Sequence, residues 1–254
     1  MLRFMLFILV FLGFSPVFAK TIVINGEDDW APYSSATKNY KDVEGLAPDI
    51  VRAAFKTQGI KVITRPVPFA RCLHEVDEGT AIGCFDTVIS SDTQDRYIFH
   101  PTPLFTADMV IYGNVNETPK TWSFKDLEGK TVGTTNGYTY PTEFISNKKI
   151  LHSPGPTEKS QLEKLASGRI QYAILWGLTG SLILEERPDL TKKVKALGVI
   201  SRTNLYLSFS KKHKEGAKYA ALLEKGLQKI RSNGTYAEIV DQFNSRHVAE
   251  ESRL

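Results

Sequence analysis

The stretch that decides the fold is EGLAPDIVRAAFKTQGIKVITRPVPFARCLHEVDEGTAIGCFD, residues 44–86. Its first part predicts a helix, with Pro48 in the opening turn and Gly59 past the end. The apolar residues of this helix share one stripe, and they are Leu46, Ile50, Val51, Ala54 and Phe55. The rest of the stretch predicts a strand in KVITRPV (61–67), a helix in PFARCLHEVDEG (68–79) and a strand in TAIGCFD (80–86). With the strand predicted in TIVIN (21–25), this alternation favours a mostly parallel sheet covered by helices.

The second half of the chain repeats the alternation after ADMVIYGN (107–114). A turn and strand are predicted in KDLEGKTVGTT (125–135), and strands in IQYAILW (170–176) and NLYLSFSKKH (204–213). Helices are predicted in TEKSQLEKLASGR (157–169) and in GSLILEERPDL (180–190), where the helix stops before Pro188. From Lys214 the tail is helical in two pieces, which Asn233 and Gly234 separate. Two α/β units, each too small to bury a large core alone, predict two lobes. Small ligands bind in the cleft between such lobes.

The N-terminal segment MLRFMLFILVFLGFSPVFAK, residues 1–20, has the pattern of a secretory signal peptide. One basic residue, Arg3, precedes an apolar run from Phe4 to Phe14, and a small-residue exit follows. The run is shorter than the roughly 18 residues that indicate a membrane span. We therefore expect residues 1–19 to be removed and the mature chain to be periplasmic, with no insertion in the membrane.

The composition is ordinary for a globular protein, with 254 residues, 42% of them hydrophobic, and a formal net charge of +4. Lys and Arg are scattered, which argues against a nucleic-acid partner. The sequence contains no nucleophile elbow, zinc-protease motif, phosphate-binding loop or dinucleotide-binding turn, so we expect no cofactor. The five histidines lie in different predicted elements, which favours surface or capping roles.

Cys72 and Cys84 are the two cysteines of the chain, and export makes a disulfide between them the expected state. Cys72 is on a predicted helix and Cys84 on the strand that follows it, so their side chains must face each other. Two free buried thiols are the alternative. Two cysteines without a histidine at ligand spacing do not suffice for a metal site.

Aromatic and cationic residues cluster where predicted strands end, which is where α/β sheets hold their ligands. Trp30 and Tyr33 follow the first strand, and Phe69 and Arg71 follow the second. The alternatives are aromatic rings folded back onto the core and a surface ion pair at the arginine. Trp176 ends a later apolar strand, and it is interpreted either as a wall of the site or as a core residue.

The best candidate anion site follows the third strand, in DTVISSDTQDRYIF, residues 86–99. Ser90, Ser91 and Thr93 offer hydroxyl groups and turn amides there. Arg96 adds a planar guanidinium, which suits a carboxylate.

The order of these motifs resembles that of the family-3 bacterial solute-binding proteins, the periplasmic partners of ABC importers for amino acids and similar solutes. The matching segments are DDWAPY for a W-x-P-Y/F loop, EGLAPDIVRAAF for a G-x-x-x-D helix, PVPFARCLHEV for a P-W-x-R helix, SSDTQDR for a T-x-x-R turn, DLEGKTVGTTNGYTY for a D-L-x-G-K-x-V-G strand and loop, and LASGRIQYAILW for a G-x-x-D-A strand. The resemblance implies the type II periplasmic-binding-protein fold, with a ligand cleft between two lobes. We expect residues 20–109 and 206–254 in the first lobe and residues 110–205 in the second.

The resemblance also implies roles for single residues. Arg96 would grip the α-carboxylate of the ligand, helped by main-chain amides near Ser91. The second lobe would contribute the loop that contains Asn136, Tyr138 and Thr139.

In the amino-acid-binding members of the family, an aspartate near the end of the G-x-x-D-A strand receives the ligand's ammonium. This chain has Trp176 near that point, and Gln171 where the motif has its aspartate. If Trp176 faces the cleft, we expect a ligand that is flatter or more apolar than a simple α-amino acid, or an amine held by Asp28 or Asp29.

These observations predict a monomeric binding protein that captures a small anionic or zwitterionic solute and delivers it to the membrane subunits of an ABC importer. One alternative is an enzyme on the same scaffold, because some relatives of the family are periplasmic dehydratases of cyclic acids. Such chemistry needs an acid in the cleft, and the candidates are Glu27, Asp28, Asp29 and Asp86. The other alternative is a sensory binding protein with no transporter.

Overall fold

The computed structural model describes residues 20–118 and 120–251, so the predicted signal peptide lies outside the described residues. The strands are β1 (Lys20–Glu27), β2 (Asp29–Trp30), β3 (Ser34–Ala36), β4 (Val43–Glu44), β5 (Ile60–Val67), β6 (Gly83–Thr87), β7 (Tyr97–Ile98), β8 (Phe105–Asn114), β9 (Thr131–Thr135), β10 (Leu151–Gly155), β11 (Tyr172–Trp176) and β12 (Val194–Ser210). The helices are α1 (Leu46–Lys56), α2 (Phe69–Asp77), α3 (Thr142–Ile145), α4 (Glu158–Ala166), α5 (Gly177–Glu186), α6 (Pro188–Thr191), α7 (Gly216–Ser232) and α8 (Thr235–Glu251).

The main sheet has the strand order β10-β9-β11-β8-β12-β6-β1-β5, and β7 pairs with β12 beside this path. Strand β1 is parallel to β5 and β6, and β9 is parallel to β10 and β11. The antiparallel pair β8 and β12 lies between these two parallel groups. The chain therefore has the expected two-lobed α/β fold, with β1, β5, β6, β7, α1, α2, α7 and α8 in the first lobe and β9–β11 and α3–α6 in the second.

Strand β12 joins the two lobes because it is unusually long, at 17 residues, which corresponds to about 55 Å of extended chain. Its first part, from Val194 to Leu205, pairs with β8, and its last part, from Tyr206 to Phe209, pairs with β6. The predicted strand NLYLSFSKKH covers only the last part. The predicted lobe boundaries, after residues 109 and 205, fall within β8 and β12 and stay a prediction.

One face of the first lobe's sheet shares a core with α1 and α7. Ile24 of β1, Phe55 of α1 and Leu227 of α7 are fully buried in this core. The two helices approach closely at Gly226, where an added Cβ would lie 2.3 Å from the carbonyl oxygen of Ala54. Glycine is therefore required at this crossing.

Helix α2 packs on the other face of the same sheet through Phe69, Leu73 and Val76. A disulfide between Cys72 of α2 and Cys84 of β6 joins helix and strand, with a Cα–Cα distance of 5.7 Å. The predicted pairing is confirmed, and the bond fixes α2 against β6.

The predicted stop before Pro188 is confirmed, because α5 ends at Glu186. Pro188 then starts a further short helix, α6, where its missing N–H has no partner to lose. The small sheet β2-β3-β4 was not predicted, since strands of two or three residues carry no measurable periodicity.

The expectation that all histidines lie at the surface or at caps is wrong for His100, which is 1% exposed. Its Nε2 accepts a hydrogen bond from the backbone N–H of Leu207 at 3.0 Å. Its Nδ1 therefore carries the proton and donates to the carbonyl oxygen of Thr102 at 2.6 Å. Burial lowers the pKa of His100 to about 4, so this ring is a neutral structural link between β12 and the loop before β8.

Candidate functional site

A small cavity of about 10 Å³ lies between the two lobes, at the carboxyl ends of their strands. The first lobe lines it with Glu27, Trp30, Phe69, Asp86 and Val88, and the second lobe with Tyr138, Thr139 and Trp176. Glu27 ends β1, Asp86 lies near the end of β6, and Trp176 ends β11. The parallel topology therefore brings residues that are far apart in sequence to one point.

A hydrogen bond crosses the cleft at this cavity. The Tyr138 hydroxyl donates to Glu27 Oε1 at 2.7 Å, and the Tyr138 ring meets the ring of Phe69 edge to face at 5.6 Å. The loop that carries Tyr138 turns at Gly137, whose φ is +79° and whose position lies against Ala70 of α2. The second lobe thus touches the start of α2, and the cleft is closed at this point.

The aromatic wall of the cavity is built in layers. The rings of Trp30 and Trp176 are 5.4 Å apart at 60°, so one tryptophan from each lobe meets across the cleft. Behind Trp30 lies Tyr33, at a ring separation of 4.5 Å, and Tyr33 in turn stacks on Phe105 at 5.1 Å. Tyr33 therefore supports the wall and does not line the cavity.

Three buried carboxyl groups give the site its electrostatic character. Burial raises the pKa of Glu27 to about 8, although the bond from Tyr138 opposes the shift. Burial and the charge of Glu27 raise the pKa of Asp86 well above its usual range. Burial likewise raises the pKa of Glu158, whose Oε1 accepts the Trp176 backbone N–H at 2.6 Å. The closed cleft therefore holds protonated acids at neutral pH, or ionised acids beside a positive ligand.

A wider groove of about 1190 Å³ opens beside this cavity, between α5 of the second lobe and α8 of the first. Asp29 and Glu158 line this groove. Asp29 precedes Trp30 in sequence, and Glu158 accepts a hydrogen bond from the backbone N–H of Trp176, so both acids lie near the tryptophan pair. Burial, and then the charge of Asp28, raise the pKa of Asp29. The groove has room for a solute much larger than the cavity holds.

The predicted arginines lie elsewhere in this conformation. Arg96 pairs with Asp77 at the end of α2, and its side chain is 50% exposed. Arg71 pairs with Glu75 at 2.9 Å and is 65% exposed. Neither lines the cavity, so the expected carboxylate clamp is not brought into the site here, because each guanidinium has a carboxylate partner on its own lobe.

In the predicted anion-binding turn, polar groups hydrogen-bond to one another. The Thr93 hydroxyl accepts from the Ser90 N–H at 2.8 Å and donates to the carbonyl oxygen of Val88 at 2.6 Å. Ser91 is exposed, and so is Asn136 of the second lobe. Their roles as ligand groups stay predictions, whereas Trp30, Phe69, Tyr138, Thr139 and Trp176 are brought together at the cavity.

Sequence reasoning missed Glu158 and considered Glu27 and Asp86 only as acids for an enzyme. Glu27 follows an apolar strand pattern and Asp86 interrupts one, and both positions become buried. A carboxylate within an otherwise apolar run, as in GCFDTV, is the signal that identifies such a position.

Within residues 20–118 and 120–251, no three histidine, cysteine or acidic side chains form a group suited to a metal ion. Among the helices in the described part of the chain, none combines the length and apolar character needed to cross a membrane.

This fold and its interlobe site define a two-lobed binding protein of the type II periplasmic class. The chain belongs to the bacterial extracellular solute-binding proteins, family 3, whose model matches residues 22–246. No curated protein sequence matches the chain.

Several solved structures are similar to this chain. A histidine kinase sensor domain with similarity to periplasmic binding proteins has a TM-score of 0.77 and 21% identity, over 88% of this chain and 95% of that one. An ancestral arginine-binding protein bound to arginine has a TM-score of 0.74 and 20% identity, over 88% and 97%. The substrate-binding protein of an amino acid ABC transporter has a TM-score of 0.70 and 17% identity, over 88% and 98%.

Proposed function

We propose that the protein is a periplasmic solute-binding protein that closes its two lobes over a small solute and delivers it to an ABC importer. The observation that carries this proposal is the cavity lined from both lobes and bridged by the Tyr138–Glu27 hydrogen bond. Residues 20–109 and 206–254 would move as one lobe and residues 110–205 as the other, with β8 and β12 as the hinge.

The charge of the site favours a solute that presents a positive group to the cavity. The sequence predicted an anionic or zwitterionic solute because of Arg96, which is paired with Asp77 in this conformation. The cavity itself is lined by Glu27 and Asp86.

The test is a thermal-shift screen of ligand-free protein, refolded after denaturation, against amino acids, amines, small peptides and organic acids. A solute at about 100 times its dissociation constant stabilises the folded state by about 2.7 kcal/mol, so a true ligand produces a clear shift. Failure of every class in the screen would reject the proposal. Capture of importer subunits from membranes by the ligand-loaded protein tests the delivery step.

A sensory role is a second candidate, since the similar structures include a histidine kinase sensor domain. In that case the ligand-loaded protein would retain a sensor kinase and no importer subunit in the same capture experiment.

An enzyme on this scaffold is a third candidate, because the pKa of Glu27, at about 8, suits a general acid at neutral pH. Mass spectrometry of the stabilising solute after prolonged incubation distinguishes this case. An unchanged solute supports binding alone, and a converted solute supports catalysis.

A further inference from the structure

Asp86 is a buried carboxyl group with no hydrogen-bond partner among the described residues. It is 6% exposed, and both of its carboxyl oxygens are buried without a hydrogen bond from the residues described. Its backbone has φ of +67°, a conformation that is uncommon for residues other than glycine. A buried carboxyl group without a partner is costly, so an unsatisfied one lining a cavity points to a ligand.

Glu27 lies beside Asp86 because of the strand register. Asn25 of β1 pairs with Cys84 of β6, so Glu27 and Asp86 occupy matching positions two residues further on. Adjacent strands are about 4.8 Å apart, which places both carboxyl groups at one end of the cavity. Two acids at this spacing suit a group that donates several hydrogen bonds and carries positive charge.

The size of the cavity limits that group. A volume of about 10 Å³ holds a single water-sized group. A primary ammonium has this size, and it donates three hydrogen bonds. The faces and edges of Trp30, Phe69 and Trp176 surround the same space, and aromatic rings attract such a cation.

A carboxylate has no counter-ion at the cavity. No lysine, arginine or histidine is among the described residues that line it. The two predicted candidates, Arg71 and Arg96, are paired with Glu75 and Asp77. An α-amino acid whose carboxylate lay in the cavity would therefore place that group against acids and aromatic rings.

A second pair of acids, Asp29 and Glu158, lines the wide groove. Glu158 is 2% exposed, its Oε2 has no described hydrogen-bond partner, and its Oε1 holds the backbone of Trp176. Asp29 lines the same groove and adjoins Trp30. Acids thus lie on both sides of the tryptophan pair, one set in the cavity and one set in the groove, where Lys159 also lines the wall.

We propose that the cleft takes a linear diamine without a carboxylate, with one ammonium between Glu27 and Asp86 and the other at Asp29 and Glu158. The methylene chain then lies along the contacting rings of Trp30 and Trp176. The proposal rests on the proposed function, because it names the class of solute that the cleft captures.

The test uses isothermal titration of ligand-free protein with α,ω-diamines of two to six methylenes, with butylamine and with lysine. Lysine differs from 1,5-diaminopentane only by its carboxylate, so the pair isolates that group. We expect an optimum of affinity within the diamine series, with its best member at least about tenfold tighter than butylamine and 1,5-diaminopentane at least about tenfold tighter than lysine. Lysine binding as tightly as 1,5-diaminopentane, or no diamine binding, overturns the proposal.

Variants assign the two ends of the ligand. Asp86→Asn is expected to weaken the best diamine and butylamine alike, by about tenfold or more. Glu158→Gln is expected to weaken the diamine and leave butylamine unchanged. Glu143→Gln, at an exposed acid of α3, is the matched control and should bind both as the parent does. Equal binding by the parent and both cleft variants, each folded by circular dichroism, contradicts the proposal.

The two proposals fail separately. If a screen finds an amino acid or organic acid that stabilises the protein while diamines do not, the solute-binding function stands and the diamine assignment is wrong. If no solute of any class stabilises the protein, the function itself is wrong.

Discussion

Replacing Glu27 by glutamine should make the unliganded protein less sensitive to pH. The glutamate has an ordinary pKa of 4.5 and a pKa of about 8 in the folded protein, because of its burial. The unfolded chain releases this proton at the lower pH, so between the two values the folded state binds more protons. The stability associated with the proton is fully present below pH 4.5 and is lost as the pH rises through about 8.

The size of the effect follows from that interval. Each pH unit within it costs about 1.4 kcal/mol, so between about pH 5 and pH 8 the parent loses about 4 kcal/mol through Glu27 alone. The groups that act on it are the acids Asp28, Asp29, Asp86 and Glu158 and the hydroxyl of Tyr138. Glu27→Gln removes this titration and keeps the size of the side chain.

The assay is urea unfolding of the ligand-free parent and of Glu27→Gln at about pH 5, 6.5 and 8, followed by circular dichroism. We expect the variant to gain up to about 4 kcal/mol relative to the parent across this range. Glu143→Gln, whose side chain is exposed, should follow the parent. A difference between parent and Glu27→Gln that is constant with pH would refute the buried, proton-binding glutamate.

Three further predictions concern the wall, the disulfide and the arginine. Trp176→Phe should weaken solute binding and reduce the ligand-induced change in tryptophan fluorescence. If the variant melts at a lower temperature but binds as the parent does, Trp176 is a core residue that does not contact the solute. Removing the Cys72–Cys84 bond, which spans a sequence separation of 12, should lower stability by about 3 kcal/mol at most, and unchanged urea midpoints under reducing conditions would argue against it. Arg96→Ala breaks an exposed ion pair with Asp77, so it should lower the free energy of unfolding by less than about 1 kcal/mol and change the affinity for the solute by no more than about threefold. A large loss of affinity in calorimetry would show that Arg96 binds the carboxylate of the solute.

The fold was predictable because its elements carry strong periodic signals. The stripe that includes Ile50 and Phe55 became α1, and the alternating KVITRPV became β5. The paired cysteines followed from export and from a helix next to a strand. The short strands β2–β4 and the full length of β12 were not predictable, since tertiary pairing rather than local pattern creates them.

The aromatic part of the site was predictable, and its charge was not. Trp30, Phe69 and Trp176 stand at strand ends, a position the sequence reveals. The direction of a long side chain is decided by its partners in space, so the pairing of Arg96 with Asp77 could not be seen in the sequence. Burial of Glu158 depends on the packing of α4 against β11, which no local pattern encodes.

The central claim is that the cleft between the lobes holds a solute at the buried acids and the tryptophan pair. The most direct test is a crystal structure of the exported protein with the solute that stabilises it most. We expect the solute to lie in the interlobe cavity, with a positive group against Asp86 and Glu27 and the rest of the molecule against Trp176. A solute bound elsewhere, with this cavity still closed by Tyr138 and Glu27 as it is here, would contradict it.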